Sequence, residues 1–133
     1  MNSTAPRNNY ILIAACSGFL VVALGAFGAH ALEGQLDARA REVFDTAVQY
    51  QMMHTLALLA VGVLLRNRVH ASRTLSGAGI AFTVGLVLFS GSLYLLSITG
   101  VRWLGAITPL GGVGFLIGWV LLFSWALVGD QGE

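Results

Sequence analysis

The sequence predicts an all-α membrane protein, a compact bundle of four transmembrane helices with the second helix extended outside the bilayer. Three observations predict it. Of 133 residues, 56% are hydrophobic and only 10% charged, with a mean hydropathy of +0.79. A soluble domain carries about a quarter charged residues, so this chain has too little polar surface to face water all round. Four apolar runs each approach the roughly 20 residues that a helix needs to cross about 30 Å of hydrocarbon. The runs are continuous rather than alternating and exceed about 10 residues, which favours helices over barrel strands.

The spans are placed at about 10–31, 47–65, 75–98 and 104–128 of a single integral membrane domain covering 1–133. Between Tyr10 and Ala29 there is no charge, and the third and fourth spans are equally clean. Each charge at a span centre would cost about 2.5 to 3.5 kcal/mol. A rival reading takes Arg7, the first apolar run and Ala29-His30-Ala31 as a cleaved signal peptide. That run exceeds the usual length of about 7–15 residues, so an intact first span is expected. Cys16, the one cysteine, rules out an intrachain disulfide and is expected to pack in the interior as a small hydrophobe.

The second helix is expected to begin outside the bilayer near Asp37, a plausible N-cap. Leu36, Ala40, Val43, Phe44 and Ala47 recur at helical spacing. Asp37 with Arg41, and Arg41 with Asp45, sit four apart and can pair on the exposed side. The segment 66–73 holds Arg66, Arg68 and Arg73 and no acid; with Arg7 it makes four arginines on one side. Arg39, Arg41 and Arg102 face the other side, among Glu33, Asp37, Glu42 and Asp45. The excess of positive charge places both termini in the cytoplasm. The net charge of +1 offers no basic patch for nucleic acid.

Glycine is abundant, at 17 residues. Gly18 and Gly25, with Ala14 and Ala29, share one side of the first helix. Gly77 and Gly85 form a second ridge with Ala81 and Ser92, and Gly111, Gly114 and Gly118 form a third. Lipid tails supply no hydrophobic drive between helices, so small residues that let backbones approach are the expected packing surfaces. Three such ridges exceed what one tight pair needs, which makes a homo-oligomer or attachment to a larger membrane complex a reasonable expectation beside membrane lipid.

The unusual intramembrane residues converge. His30 ends the first span, and Tyr50, Gln51 and His54 open the second. Ser90, Ser92 and Tyr94 come late in the third, and Thr108 and Pro109 early in the fourth. Because successive spans reverse direction, all of these fall in one leaflet. Thr46, Tyr50, Gln51 and His54 share an arc of about 140° on their helix, from which Met52 and Met53 point away. Ser90, Tyr94 and Ser97 share one narrow side of theirs. Such groups are expected to face the bundle and hydrogen-bond across helices, with His54 a neutral imidazole bonded to Gln51, Tyr94 or Thr108. Pro109 is expected to start or kink the fourth helix. Trp103 suits an interfacial anchor.

No span contains a carboxylate, so an acidic ion pathway lacks its key residue. Ser90 and Ser92 lack a Gly-x-Ser-x-Gly setting and an acid–base relay. Two histidines on neighbouring helices could in principle hold haem axially, but no further ligand spacing supports a metal or cofactor. No catalytic residue, metal or cofactor is therefore expected.

Gly25-Ala-Phe-Gly-Ala-His-Ala-Leu32, Tyr50-Gln-x-x-His54, Phe89-Ser-Gly-Ser-Leu-Tyr94 and Thr108-Pro-x-Gly-Gly112 resemble the domain-of-unknown-function 423 family. The likeness runs in order over nearly the whole chain. It implies a small four-span integral membrane protein of bacteria, expected in the plasma (inner) membrane, with relatives in mitochondria, and no established activity, substrate or catalytic residue. The expected function is a membrane binding or accessory protein, not an enzyme. Its polar cluster would receive a lipid, a lipophilic ligand or a partner helix. The alternative is a small oligomeric transporter or channel, which needs a polar track through both leaflets.

Overall fold

The structure is a computed structural model that describes residues 9–67 and 72–128. It consists of four long apolar helices: α1 Asn9–His30, α2 Ala38–Arg66, α3 Arg73–Thr99 and α4 Leu104–Val128. Within α3 the segment Leu86–Ser90 is wound as a π turn, where the chain holds one more residue per turn than an α-helix accommodates. Arg7 and Arg68, which carry part of the charge argument, lie outside the described residues.

Local chemistry sets the ends. The Asp37 carboxylate accepts from the Ala40 N–H at 2.8 Å, so α2 opens where the sequence places a cap. Asp37 is thereby used as a cap, and the ion pair of this turn is Arg41 with Asp45 at 3.2 Å. Arg41 also donates to the Gly28 carbonyl at 2.9 Å, tying the start of α2 to the end of α1. The Ser72 hydroxyl caps α3 by accepting from the Leu75 N–H at 3.1 Å. Gly100 ends that helix at φ +69°, a left-handed conformation that favours glycine.

The fourth helix begins at Leu104, where the sequence places the span, and Pro109 lies inside it rather than at its start. Leu104, Gly105 and Ala106 donate to the carbonyls of Val101, Arg102 and Trp103. These i→i−3 bonds wind a tight first turn before the proline is reached. Pro109 is exposed.

The packing is antiparallel between chain neighbours. Down α1, residues Gly28, Gly25 and Ser17 meet Phe44, Val48 and Thr55 of α2. Down α4, residues Gly111, Phe115 and Gly118 meet Phe89, Gly85 and Phe82 of α3. A Cβ at Gly111 would collide with the Phe89 backbone, and one at Gly114 would lie 3.2 Å from the Ala81 carbonyl oxygen. By contrast, Cβ atoms at Gly18 and Gly25 would make ordinary 3.8 Å contacts, and Gly77 would press only on Leu121 at 3.2 Å. Gly28, Gly62 and Gly79 are further tight contacts, against Phe44, Ile11 and Tyr10.

Leu58, Val61, Leu75, Ala78 and Phe82 are completely buried and form an apolar core with Ala14, Ala57, Leu86 and Phe115. Most of this core lies toward the end where α1 and α3 start and α2 finishes. Apart from the Ser72 cap of α3, the buried polar side chains lie from mid-depth toward the opposite end.

Candidate functional site: a polar network and an intramembrane groove

Gln51 sits at the centre of the bundle, 6% exposed, and binds three helices together. Its amide nitrogen donates to the Ser17 carbonyl and to the Ser17 hydroxyl oxygen, both at 3.2 Å. Its amide oxygen accepts from the Tyr94 hydroxyl at 2.6 Å. Ser17 in turn shares a 2.6 Å hydrogen bond with Thr55. One amide thus joins α1 and α3 across α2, each bond contributing about 0.6 kcal/mol. A second link runs from the Ser90 hydroxyl to the Ala47 carbonyl at 3.0 Å, and a third between Ser92 and Thr108 at 2.7 Å. Ser97 donates to its own helix at the Tyr94 carbonyl.

His54 is not part of that network. Three residues along a helix turn it about 60° away from Gln51, toward α4 instead of α1. There the Trp119 indole N–H donates to His54 Nε2 at 3.2 Å, and Nδ1 lies 2.8 Å from the Tyr50 carbonyl. An indole N–H can only donate, so Nε2 holds a lone pair and Nδ1 carries the proton. His54 is therefore a neutral imidazole with both nitrogens used, though its partners are Tyr50 and Trp119 rather than Gln51, Tyr94 or Thr108. Its ring lies flat on Phe115, with centroids 3.5 Å apart and planes 8° apart. Among the described residues no group of three or more His, Cys, Asp or Glu could hold a metal ion.

Tyr50 is 40% exposed and packs its ring on Phe89 at 4.5 Å. His30 is exposed at the end of α1 and joins neither cluster, and Pro109 likewise faces outward. Three residues complete the two clusters without having stood out in the sequence: Ser17, Thr55 and Trp119. A lone hydroxyl in an apolar run is a weak mark, since it can bond back to its own helix. An indole suits lipid as well as a histidine partner.

Between α1 and α3 lies an open groove of about 310 Å³. Ile13, Leu20 and Leu24 form one wall, and Leu86 and Val87 the other. Ser17, Gln51, Ser90 and Tyr94 supply its polar floor, so the hydrogen-bonded network is also the base of the groove. Cys16 opens onto it and is exposed, not interior as expected, because the side of α1 turned to α3 lacks a covering helix.

Comparison with known proteins agrees with this architecture. Residues 24–112 match the model of a family described as protein of unknown function, DUF423. The UPF0382 membrane protein YwdK of Bacillus subtilis is 46% identical over 113 residues, covering 85% of this chain and 91% of that protein. A UPF0382 membrane protein of Haemophilus influenzae is 45% identical over 117 residues, 87% of this chain and 91% of its own length. The UPF0382 inner membrane protein YgdD of Escherichia coli is 42% identical over 117 residues, 88% of each chain. No solved structure matches. With four apolar helices long enough to cross a bilayer, a family match over two thirds of its length and relatives named as membrane proteins, the chain belongs to the DUF423 family of integral membrane proteins.

Proposed function

We propose that this protein is a membrane binding or accessory protein, not an enzyme, and that it takes a lipophilic molecule into the groove between α1 and α3. The observation that carries this reading is the groove itself. It has apolar walls, opens to the surrounding lipid, and its volume falls in the range of about 300–1,000 Å³ typical of ligand sites. Its position beside the Ser17–Gln51–Tyr94 network gives it a rigid base. We further propose that both termini face the cytoplasm, as the excess of Arg66, Arg73, Arg7 and Arg68 over Arg39, Arg41 and Arg102 favours.

The transporter alternative has no observation in its favour. The intramembrane hydroxyls of Ser90, Ser92 and Ser97 are turned on main-chain carbonyls. The apolar core fills the half of the bundle in which a polar track would have to continue. Lipid is the partner expected first. A homo-oligomer is the second, supported by α1, whose Phe19 and Val22 are 74% and 72% exposed.

The test is native mass spectrometry on full-length protein extracted gently from its own membrane. A mass above a whole number of chains is expected, and it should be lost in Gly91→Leu. Gly91 lines the groove and a Cβ there meets nothing within 4 Å, so leucine fills the groove without disturbing the packing. A bare mass for the wild type, or an added mass untouched by Gly91→Leu, overturns the reading.

A further inference from the structure

The bundle presents sides of unequal apolar length to the surrounding lipid. On α3 no charge falls between Thr74 and Thr99, a stretch of about 39 Å. The helix α4 is free of charge throughout, over about 37 Å. The outer side of α2 is different. Arg41, Glu42, Asp45, Thr46 and Gln49 line one continuous polar stripe there, and beyond it Met52, Met53, Leu56 and Val63 are exposed. The charge-free run from Tyr50 to Leu65 is about 24 Å long, less than the roughly 30 Å of a hydrocarbon core.

Contacts between the helices show at which end the difference falls. Tyr10 and Ile11, neighbours on α1, lie against Gly79 of α3 and Gly62 of α2. Arg73 and Arg66 stand about 9 and 6 Å beyond those glycines, so the two sides finish nearly together there. At the other end the Ser90 hydroxyl donates to the Ala47 carbonyl at 3.0 Å. From that bond α3 runs on to Thr99 and α2 runs back to Ala38, about 13 Å in each case, so these ends are level too. Over this shared height α3 exposes Leu95 and Ile98, while α2 exposes Glu42 and Asp45. Gln49 is also exposed, about 3 Å deeper than Ala47. No flat boundary between water and hydrocarbon suits both sides.

A short apolar side is accommodated by thinning the bilayer, by long side chains that reach out of it, or by association. The second route is closed. Arg41 is held by Asp45 and the Gly28 carbonyl, and Glu42 and Asp45 have short side chains. Charge disfavours the pairing of two such stripes, since each sets Glu42 and Asp45 against Arg41 alone and like net charges would meet. We propose that the polar side of α2 is an interface with lipid headgroups and water, which descend along it as far as Gln49. The protein thereby thins one leaflet beside α2 by about 6 Å, while the same leaflet keeps its full height beside α3 and α4.

The full-length protein with Cys16→Ser would carry one new cysteine at a time, Gln49→Cys, Leu95→Cys or Leu110→Cys, in phosphatidylcholine vesicles. All three positions are exposed, so the substitutions leave the packing intact. A charged maleimide that does not cross lipid is supplied on both sides, and total thiol is counted after denaturation. Leu95 lies about 10 Å nearer the level of the helix ends than Gln49 does. Leu110 lies within about one turn of the level of Gln49, as the bond between Ser92 and Thr108 sets it. Gln49→Cys is nevertheless expected to react about tenfold faster than either, because the thiolate is the reactive form and apolar surroundings suppress it. Equally fast reaction at all three positions would put a flat boundary below them and overturn the proposal. Equally slow reaction would overturn it too, and a disulfide-linked dimer of Gln49→Cys under oxidant would then identify a second copy on the stripe.

Discussion

His54 uses both ring nitrogens inside the protein, and this decides how the residue should be understood. With Nε2 accepting from Trp119 and Nδ1 donating to the Tyr50 carbonyl, no lone pair remains for a metal or a ligand. The histidine joins α2 to α4. Nitrogen-15 NMR of the imidazole at neutral pH should therefore report the neutral, Nδ1-protonated tautomer; an Nε2-protonated ring would refute the assignment. His54→Leu leaves the indole N–H of Trp119 without its acceptor and removes the ring stacked on Phe115. A loss of about 1–3 kcal/mol is expected, read as a lowered melting temperature in detergent, against almost no change for the exposed His30→Ala. Equal effects of the two substitutions would contradict the structural role. At this scale the sequence marks out His54 and Gln51, because buried polar groups in an apolar run must find partners. It does not reveal which partners. Gln51 and His54 stand about 60° apart on α2, and that rotation sends one toward Ser17 and Tyr94 and the other toward Trp119.

Two glycines of the α3–α4 half are used in opposite ways. Gly111 allows the backbones of α3 and α4 to touch, and a Cβ there would meet the Phe89 main chain. Main chain cannot swing aside as a flexible side chain can, so Gly111→Ala should cost about 1–3 kcal/mol. Gly91 has open space beside it, and Gly91→Ala should stabilise the helix by about 0.5–1 kcal/mol through the entropy of the unfolded chain. Parallel thermal melts of the two variants check this, and the same sign for both would show the packing to be misassigned. The ridge of Gly111, Gly114 and Gly118 is legible in sequence because glycines at helical spacing have few other uses in an apolar span. Gly62 and Gly79 are not, since each stands alone on its side and is required only by Ile11 and Tyr10 arriving from α1. The π turn at Leu86–Ser90 is also invisible in sequence: nothing in Leu-Val-Leu-Phe-Ser distinguishes it from an α-helical turn. The start of α2 is legible because Asp37 caps it through a bond three residues long. The start of α4 at Leu104 is legible because the apolar run begins there, and a tight first turn makes that boundary ahead of Pro109.

At the scale of the whole molecule, the four spans follow from hydropathy alone, while the groove does not, because it depends on α1 leaning on α2 and touching α3 chiefly through Tyr10. The unequal division of polarity along the bundle is legible through the alternation of direction, and it bears on orientation. One end carries Arg66 and Arg73, exposed beside the apolar core. The other carries Arg39, Arg41 and Arg102, and there Arg41 is engaged by Asp45 and the Gly28 carbonyl. Positive charge near span ends is held back from translocation, while acids count for little, so the balance is four arginines against three. So small a margin makes a sharp prediction. A fluorescent protein that matures only in the cytoplasm, fused after residue 133, should fluoresce with the wild-type chain. Replacing Arg66, Arg68 and Arg73 together by glutamine leaves one arginine against three, and most of that fluorescence should be lost. Replacing Arg39 and Arg102 instead should leave it unchanged or raise it. A dark wild-type fusion at normal protein level would reverse the orientation.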